Sequence, residues 1–149
     1  MPRLDAERIA LWRGWQAAST DIERHLDEAL MADLDLPLRW FEILAALAHA
    51  GGSMRVHELR HELDANASSL SRRLDRLDDV GYITRDATPV GHDHRSVTVW
   101  LSHEGRLAWR DANIVFRRGV QRRFAGVLTD SDIGALQRVL SKLRTAAEG

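Results

Sequence analysis

The first apolar positions of the chain recur at the three- and four-residue spacing of an α-helix. No proline interrupts residues 5–31, and Gly14 is the one glycine among them. The pattern therefore predicts a long amphipathic helix over 5–31. Its apolar positions are Leu4, Leu11, Trp15, Ala18, Ile22 and Ala29.

In the middle of the chain the periodicity changes from helical to alternating. A nearly all-apolar segment beginning at Pro37 predicts a buried helix, and a short third helix follows. Asn66 can cap a fourth helix that stops before Gly81. Residues 82–85 and 97–101 then alternate between apolar and polar, which predicts a two-stranded hairpin.

Two more helices are predicted after the hairpin. Ser102 can cap a fifth helix that runs to about residue 126. Thr129 and Asp132 have the spacing of a capping box for a sixth helix. The sixth helix has a narrow apolar seam formed by Ile133, Leu136, Leu140, Leu143 and Ala147.

This order of elements predicts a mainly α protein with a small β-hairpin wing. Helices followed by a two-stranded ribbon form a winged helix-turn-helix unit, here over 37–101. The stripes of 5–31 and 103–147 are too apolar to stay exposed, so these segments are predicted to form a helical dimerisation region. We therefore expect a single domain over 1–149 that assembles as a homodimer.

Composition excludes several kinds of site. The chain of 149 residues is 44% hydrophobic and 29% charged, as in an ordinary globular protein. It has no cysteine, which excludes disulfides, thiol nucleophiles and thiolate metal sites. The N-terminal segment carries charges throughout, and no stretch has the length and apolar character of a membrane span. A cytoplasmic protein without a membrane partner is expected.

The net charge of −1 conceals two oppositely charged stretches. Residues 21–35 contain six acids and one arginine, whereas residues 104–123 contain six arginines and two acids. They are either two solvated helix faces or two surfaces that face each other within one assembly.

Residues 57–61, His-Glu-Leu-Arg-His, match the H-E-x-x-H pattern of zinc peptidases. Such a site needs a shielded cleft and a third protein ligand. The predicted third helix buries Val56 and Leu59, which places His57 and His61 on the opposite side, and no downstream motif supplies a third ligand. We expect no catalytic residue, no metal and no cofactor, with a regulatory metal at the two histidines as the alternative.

Two segments carry a resemblance to a known family. Residues 93–105 (DHRSVTVWLSHEG) fit the wing pattern D-x-R, five residues, then L-[ST]-x-x-G, and residues 68–77 (SSLSRRLDRL) look like the recognition helix of the same family. Over nearly its whole length the chain resembles the MarR family of bacterial transcriptional regulators. The resemblance implies a dimer that binds a palindromic operator in double-stranded DNA. Two positions depart from it, because Ser71 replaces the usual threonine and Arg73 stands where the family normally has an apolar residue.

The candidate DNA-binding residues lie on the fourth helix and in the wing. Short polar side chains at the start of a recognition helix can approach base edges, and Arg72 and Arg76 share a face from which they can reach guanine or phosphates. The resemblance implies that Arg95 enters a minor groove and that Asp93 positions it. The alternatives are helix capping for the polar residues and, for the arginines, a solvated face paired with neighbouring acids. The full set is Asn66, Ser68, Ser69, Ser71, Arg72, Arg76, Asp93, His94 and Arg95.

Members of that family commonly bind a small anionic or phenolic ligand between the dimerisation helices and the winged helix. Trp12, Arg13, Trp15 and Trp40 are the candidates here, because an arginine can pair with a carboxylate while indoles cover an aromatic ring. Core packing of the tryptophans is the alternative.

The sequence thus predicts a dimeric DNA-binding transcriptional regulator, a repressor released by a small ligand, and not an enzyme. Three other functions stay open. They are a metal-responsive regulator of the same fold, an HExxH zinc metallopeptidase, and a protein-interaction adaptor that does not bind DNA.

Overall fold

The computed structural model describes residues 1–86 and 97–149, and these ranges are mainly helical with one small antiparallel sheet. None of the helices within them combines the length and the apolar character that a membrane span requires. The helices are α1 (Ala6–Leu34), α2 (Leu38–His49), α3 (Val56–Glu62), α4 (Ala67–Asp79), α5 (His103–Arg123) and α6 (Asp130–Ala147), and the strands are β1 (Ser53–Arg55), β2 (Ile83–Arg85) and β3 (Thr98–Leu101).

The structure confirms the predicted caps at Asn66, Ser102 and Thr129. Each side chain accepts a hydrogen bond from a backbone N–H in the first turn of its helix. Thr129 and Asp132 form both hydrogen bonds of a capping box. These contacts satisfy N–H groups that have no partner within the helix, which explains why α4, α5 and α6 begin where they do.

The sheet contains one strand more than the predicted hairpin. Its order is β1-β3-β2, and β3 pairs antiparallel with both neighbours. Met54 of β1 lies opposite Val99, and Thr84 of β2 lies opposite Trp100. The additional strand ties the start of α3 to the base of the wing.

The core lies where α1, α2, α4 and α5 meet the sheet. The rings of Phe41 and Phe116 pack with centroids 4.6 Å apart. Gly119 lets α5 approach α1 closely, because a Cβ at this position would lie 2.5 Å from Cδ2 of Leu26. The most deeply buried large side chains are Leu30, Ile43, Leu44, Leu47, Leu59, Leu70, Leu77, Ile83 and Val99.

The first half of α1 and the whole of α6 leave apolar side chains uncovered. Leu11 is 74% exposed and Trp12 is 58% exposed. On α6, Leu143 is 58% exposed, and no residue of this helix is buried. These helices belong to the segments 5–31 and 103–147, whose apolar stripes led to the prediction of a dimerisation region.

Candidate nucleic-acid interface

Helix α4 buries one face and leaves another open. Leu70, Leu74 and Leu77 are 2% exposed or less, and their spacing places them on the side that meets the core. Arg72 and Arg76, four residues apart, are both exposed. The helix therefore presents two guanidinium groups from a firmly anchored backbone.

The acids beside these arginines are held by Arg85 of β2. Its Nη1 donates to Oδ1 of Asp75 at 2.9 Å, and its Nε donates to Oδ2 of Asp78 at 3.0 Å. Partial burial works against the charge of Arg85, but the hydrogen bonds to both carboxylates outweigh it and raise its pKa. Within the described residues no ion pair joins Arg72 or Arg76 to a carboxylate. The alternative in which Asp75 and Asp78 pair with the arginines of α4 itself is therefore wrong.

The start of α4 is organised around Asn66. Its Oδ1 accepts from the backbone N–H of Ser68 at 2.9 Å, from the N–H of Ser69 at 3.3 Å and from the hydroxyl of Ser68 at 2.6 Å. Capping of α4 therefore explains the hydrogen bonds of the Asn66 Oδ1 atom and of the Ser68 hydroxyl. The hydroxyls of Ser69 and Ser71 form no hydrogen bond in the described part of the chain.

A groove of about 360 Å³ separates the start of α2 from the open face of α4. It brings Trp40, which the sequence placed among the ligand-binding candidates, beside the candidate DNA-binding residues. The groove is lined by Pro37, Trp40, Ser69, Arg72, Arg73 and Arg76.

The wing residues Asp93, His94 and Arg95 lie outside the described residues, so their contact with a minor groove stays a prediction. The base of the wing is described. There Nε1 of Trp100 donates to Oδ1 of Asp86 at 3.3 Å.

The H-E-x-x-H segment lies on the exposed side of α3. Leu59 is fully buried, whereas His57 and His61 are exposed. Between them Arg60 points its Nε toward the carbonyl oxygen of Ala65 at 3.4 Å. Among the residues that the structure describes, no three His, Asp or Glu side chains are grouped to hold a metal ion. Within residues 1–86 and 97–149 the two histidines are exposed and have no third ligand grouped with them, whereas zinc hydrolysis needs both a third ligand and a shielded cleft.

The four ligand-binding candidates do not come together within the chain. Trp12 and Arg13 are exposed on α1, and Trp40 lies beside α4. Trp15 lines a separate apolar groove of about 550 Å³ between α1 and the junction of α5 with α6. Arg123 also lines this groove, and sequence reasoning missed it because the contact joins opposite ends of the chain.

The oppositely charged stretches lie on neighbouring helices, but their acids pair elsewhere. Arg24 engages both Asp21 and Glu28 within α1, and Glu23 accepts from Arg39 at 2.8 Å. The hydrogen bond from Arg24 is the main cause of the lowered pKa of Asp21. No ion pair within residues 1–86 and 97–149 joins the acidic stretch to the basic one.

Known proteins are similar to this chain in sequence and in architecture. Residues 34–96 match the model of the MarR family. The HTH-type transcriptional regulator PecS of Dickeya dadantii (strain 3937) is 34% identical over 106 residues, which are 70% of this chain but only 62% of PecS. Over most of its length the chain is similar to transcriptional regulators of the MarR family. The HTH-type transcriptional repressor MdtR of Bacillus subtilis (strain 168) is 24% identical over 133 residues, covering 89% of this chain and 83% of MdtR.

The same fold occurs in a MarR family regulator that was solved on DNA. Sco3205 from Streptomyces coelicolor, in complex with DNA, is 27% identical with a TM-score of 0.85, covering 98% of this chain and 91% of that chain. MarR family members are transcription regulators and not enzymes, which argues against the metallopeptidase.

The two departures from the MarR pattern have different surroundings. Ser71 is exposed and lines a groove between α3 and α4, so a hydroxyl remains available there. Arg73 is half-buried and lines the groove between α2 and α4.

Proposed function

We propose that this chain is a sequence-specific DNA-binding transcriptional regulator that acts on a palindromic operator. The observation that carries the proposal is the pair Arg72 and Arg76 on the open face of α4, with Asp75 and Asp78 engaged by Arg85. A guanidinium without a carboxylate partner can bind the O6 and N7 atoms of guanine or a phosphate. Sco3205, which shares the fold, was solved in complex with DNA, and this supports DNA binding by the chain.

The protein acts as a homodimer in this proposal. Residues 37–101 meet DNA, and residues 5–31 and 103–147 form the dimer. The uncovered apolar side chains of α1 and α6 support a second copy, because a monomer would leave both stripes in water. A two-fold dimer places two recognition helices about 34 Å apart, one turn of DNA, which fits a palindrome.

The regulator is a repressor that a small aromatic or anionic ligand releases from DNA. Similarity to MdtR, named as a repressor, supports the first part. The groove that contains Trp15 and Arg123 supports the second, since it offers an indole and a cation together. A ligand releases DNA only if it binds a dimer geometry that DNA does not select.

Fluorescence anisotropy tests DNA binding with a duplex from the region upstream of the protein's own gene and a scrambled duplex of the same composition, at stated salt. Arg72→Ala and Arg76→Ala should each cost about 1–3 kcal/mol per protomer if they contact bases, and mainly on the upstream duplex. Arg3→Ala, ahead of α1, is the matched control and should bind as the wild type does. Equal, weak binding of both duplexes by the wild-type chain would instead support the adaptor.

The same protein–DNA complex tests the effector. Adding salicylate or benzoate should lower the anisotropy, and Trp15→Ala should raise the half-release concentration without changing DNA affinity. Arg13→Ala tests the exposed arginine of α1 in the same way. If neither substitution changes the concentration of salicylate or benzoate that releases DNA, Trp15 and Arg13 do not belong to the ligand site.

A further inference from the structure

Arg73 is a charged residue that is half-buried on α4 without a partner among the described residues. It is half-buried on α4, beside the buried Leu74, and it forms no hydrogen bond or ion pair with any described residue. Withdrawing a guanidinium from water costs free energy unless the group gains a partner. No described residue neutralises the charge of Arg73, so its guanidinium is available to a partner outside the chain.

Trp40 forms the opposite wall of the same groove. Its side chain is half-buried and packs against the core, which fixes the position of the indole. Its Nε1–H forms no hydrogen bond in the described part of the chain. The indole is thus a firmly held donor.

The groove between these two side chains attracts anions. Arg72, Arg73 and Arg76 are its charged lining residues, and no carboxylate lines it. Since Asp75 and Asp78 are bound to Arg85, nearby acids do not compete for these guanidinium groups. A phosphate oxygen accepts from both guanidinium and indole donors.

We infer that this groove binds a backbone phosphate of the operator, with Arg73 and the Nε1–H of Trp40 as the positioning residues. The inference rests on the proposed DNA-binding function, since the groove opens on the face of α4 that meets DNA in that proposal. Contacts to phosphate fix the register of a recognition helix on the duplex without reading its sequence. Arg73 and Trp40 therefore set where α4 sits, and other residues of α4 read the bases.

Salt dependence of DNA binding distinguishes a phosphate contact from a base contact. The slope of log K against log[NaCl] falls by about 0.9 for each phosphate that the protein no longer neutralises, so Arg73→Gln should reduce it by about 1.8 in a dimer. Affinity near 0.1 M NaCl should fall roughly 60-fold by the same relation, and equally on the upstream and scrambled duplexes. Trp40→Phe keeps the packing and removes a neutral donor, so it should weaken binding about five- to a hundredfold without changing the slope. Arg3→Gln, ahead of α1, is the control and should leave both quantities as in the wild type.

Four outcomes overturn the inference. An unchanged slope in Arg73→Gln removes the phosphate contact, and an affinity decrease confined to the upstream duplex makes Arg73 a base-reading residue. Thermal stabilisation of the wild type by inorganic phosphate, at matched ionic strength and absent in Arg73→Gln, assigns the groove to a free anion. A wild-type chain that binds neither duplex removes the proposed function as well. If Arg73→Gln does not fold, Arg73→Leu provides the same charge removal with the apolar residue usual at this position.

Discussion

Gly105 shows at the scale of one residue why the wing pattern ends in glycine. It is buried in the first turn of α5, where a Cβ would lie 2.0 Å from the carbonyl oxygen of Tyr82. That oxygen accepts a hydrogen bond from the N–H of Ser102 at 3.0 Å, and the Ser102 hydroxyl donates to the carbonyl oxygen of Gly81 at 2.6 Å. The glycine allows α5 to pack directly against the backbone that joins α4 to β2.

Gly105→Ala should therefore destabilise the fold by about 3 kcal/mol or more, because backbone and not a flexible side chain must move. Chemical denaturation at fixed protein concentration measures this change. Gly134→Ala is the matched control within α6, where the nearest atom to the new Cβ would be Nη1 of Arg138 at 3.7 Å. It should stabilise the protein by about 0.5–1 kcal/mol through helix propensity. Equal stabilities of the two variants would mean that the contact with Tyr82 relaxes at little cost.

At the scale of elements, Arg85 joins β2 to α4 by two ion pairs. The strand supplies a cation that engages two acids of the helix, and the arginines of α4 stay available as a result. Removing that cation frees two carboxylates beside the face that meets DNA in the proposal.

Arg85→Gln should weaken DNA binding by about 1 kcal/mol per protomer at low salt, the repulsion expected from two carboxylates roughly 8 Å from a phosphate in water. The effect should shrink as salt rises, because exposed charges are screened. Adding Asp75→Asn and Asp78→Asn to this variant should restore the affinity. Arg24→Gln also frees two carboxylates, but on α1, and should leave DNA binding unchanged. Failure of the triple variant to recover would show that Arg85 contacts DNA directly.

The helices were predictable because each has its own signal in the sequence. Asn66, Ser102 and Thr129 cap as expected, since a cap depends on residues within one turn. Strand β1 was missed because Ser53–Arg55 is three residues long, too short to show an alternating pattern, and it forms only by pairing with β3. Its existence depends on contacts nearly fifty residues away along the chain.

The candidate site was predictable only in part for the same reason. The open face of α4 follows from the spacing of its leucines and arginines, which is local. The groove that joins Trp40 to Arg73 and the pairing of Arg85 with Asp75 depend on how α2 and β2 pack against α4. Sequence spacing carries no signal for either contact.

At the scale of the whole molecule, the helices at the two ends of the chain, α1 and α6, expose large apolar side chains. Leu140 and Leu143 on α6 and Leu11 and Trp12 on α1 are at least 40% exposed. Asp21, Glu23 and Glu28 of the 21–35 stretch form ion pairs within the chain, so apolar contact is expected to be the main source of association in the proposed dimer.

Leu143→Asp should therefore raise the dissociation constant of the dimer by roughly a hundredfold or more, since each protomer would bury a carboxylate without a partner. Sedimentation equilibrium measures the change, and Gln137→Asp on the same helix is the control for added charge on an exposed position. Association of the wild type should change little between low and high NaCl, because salt screens charges and does not weaken apolar contacts. A dimer that dissociates clearly at high salt would instead indicate that the acidic stretch of one protomer pairs with the basic stretch of its partner.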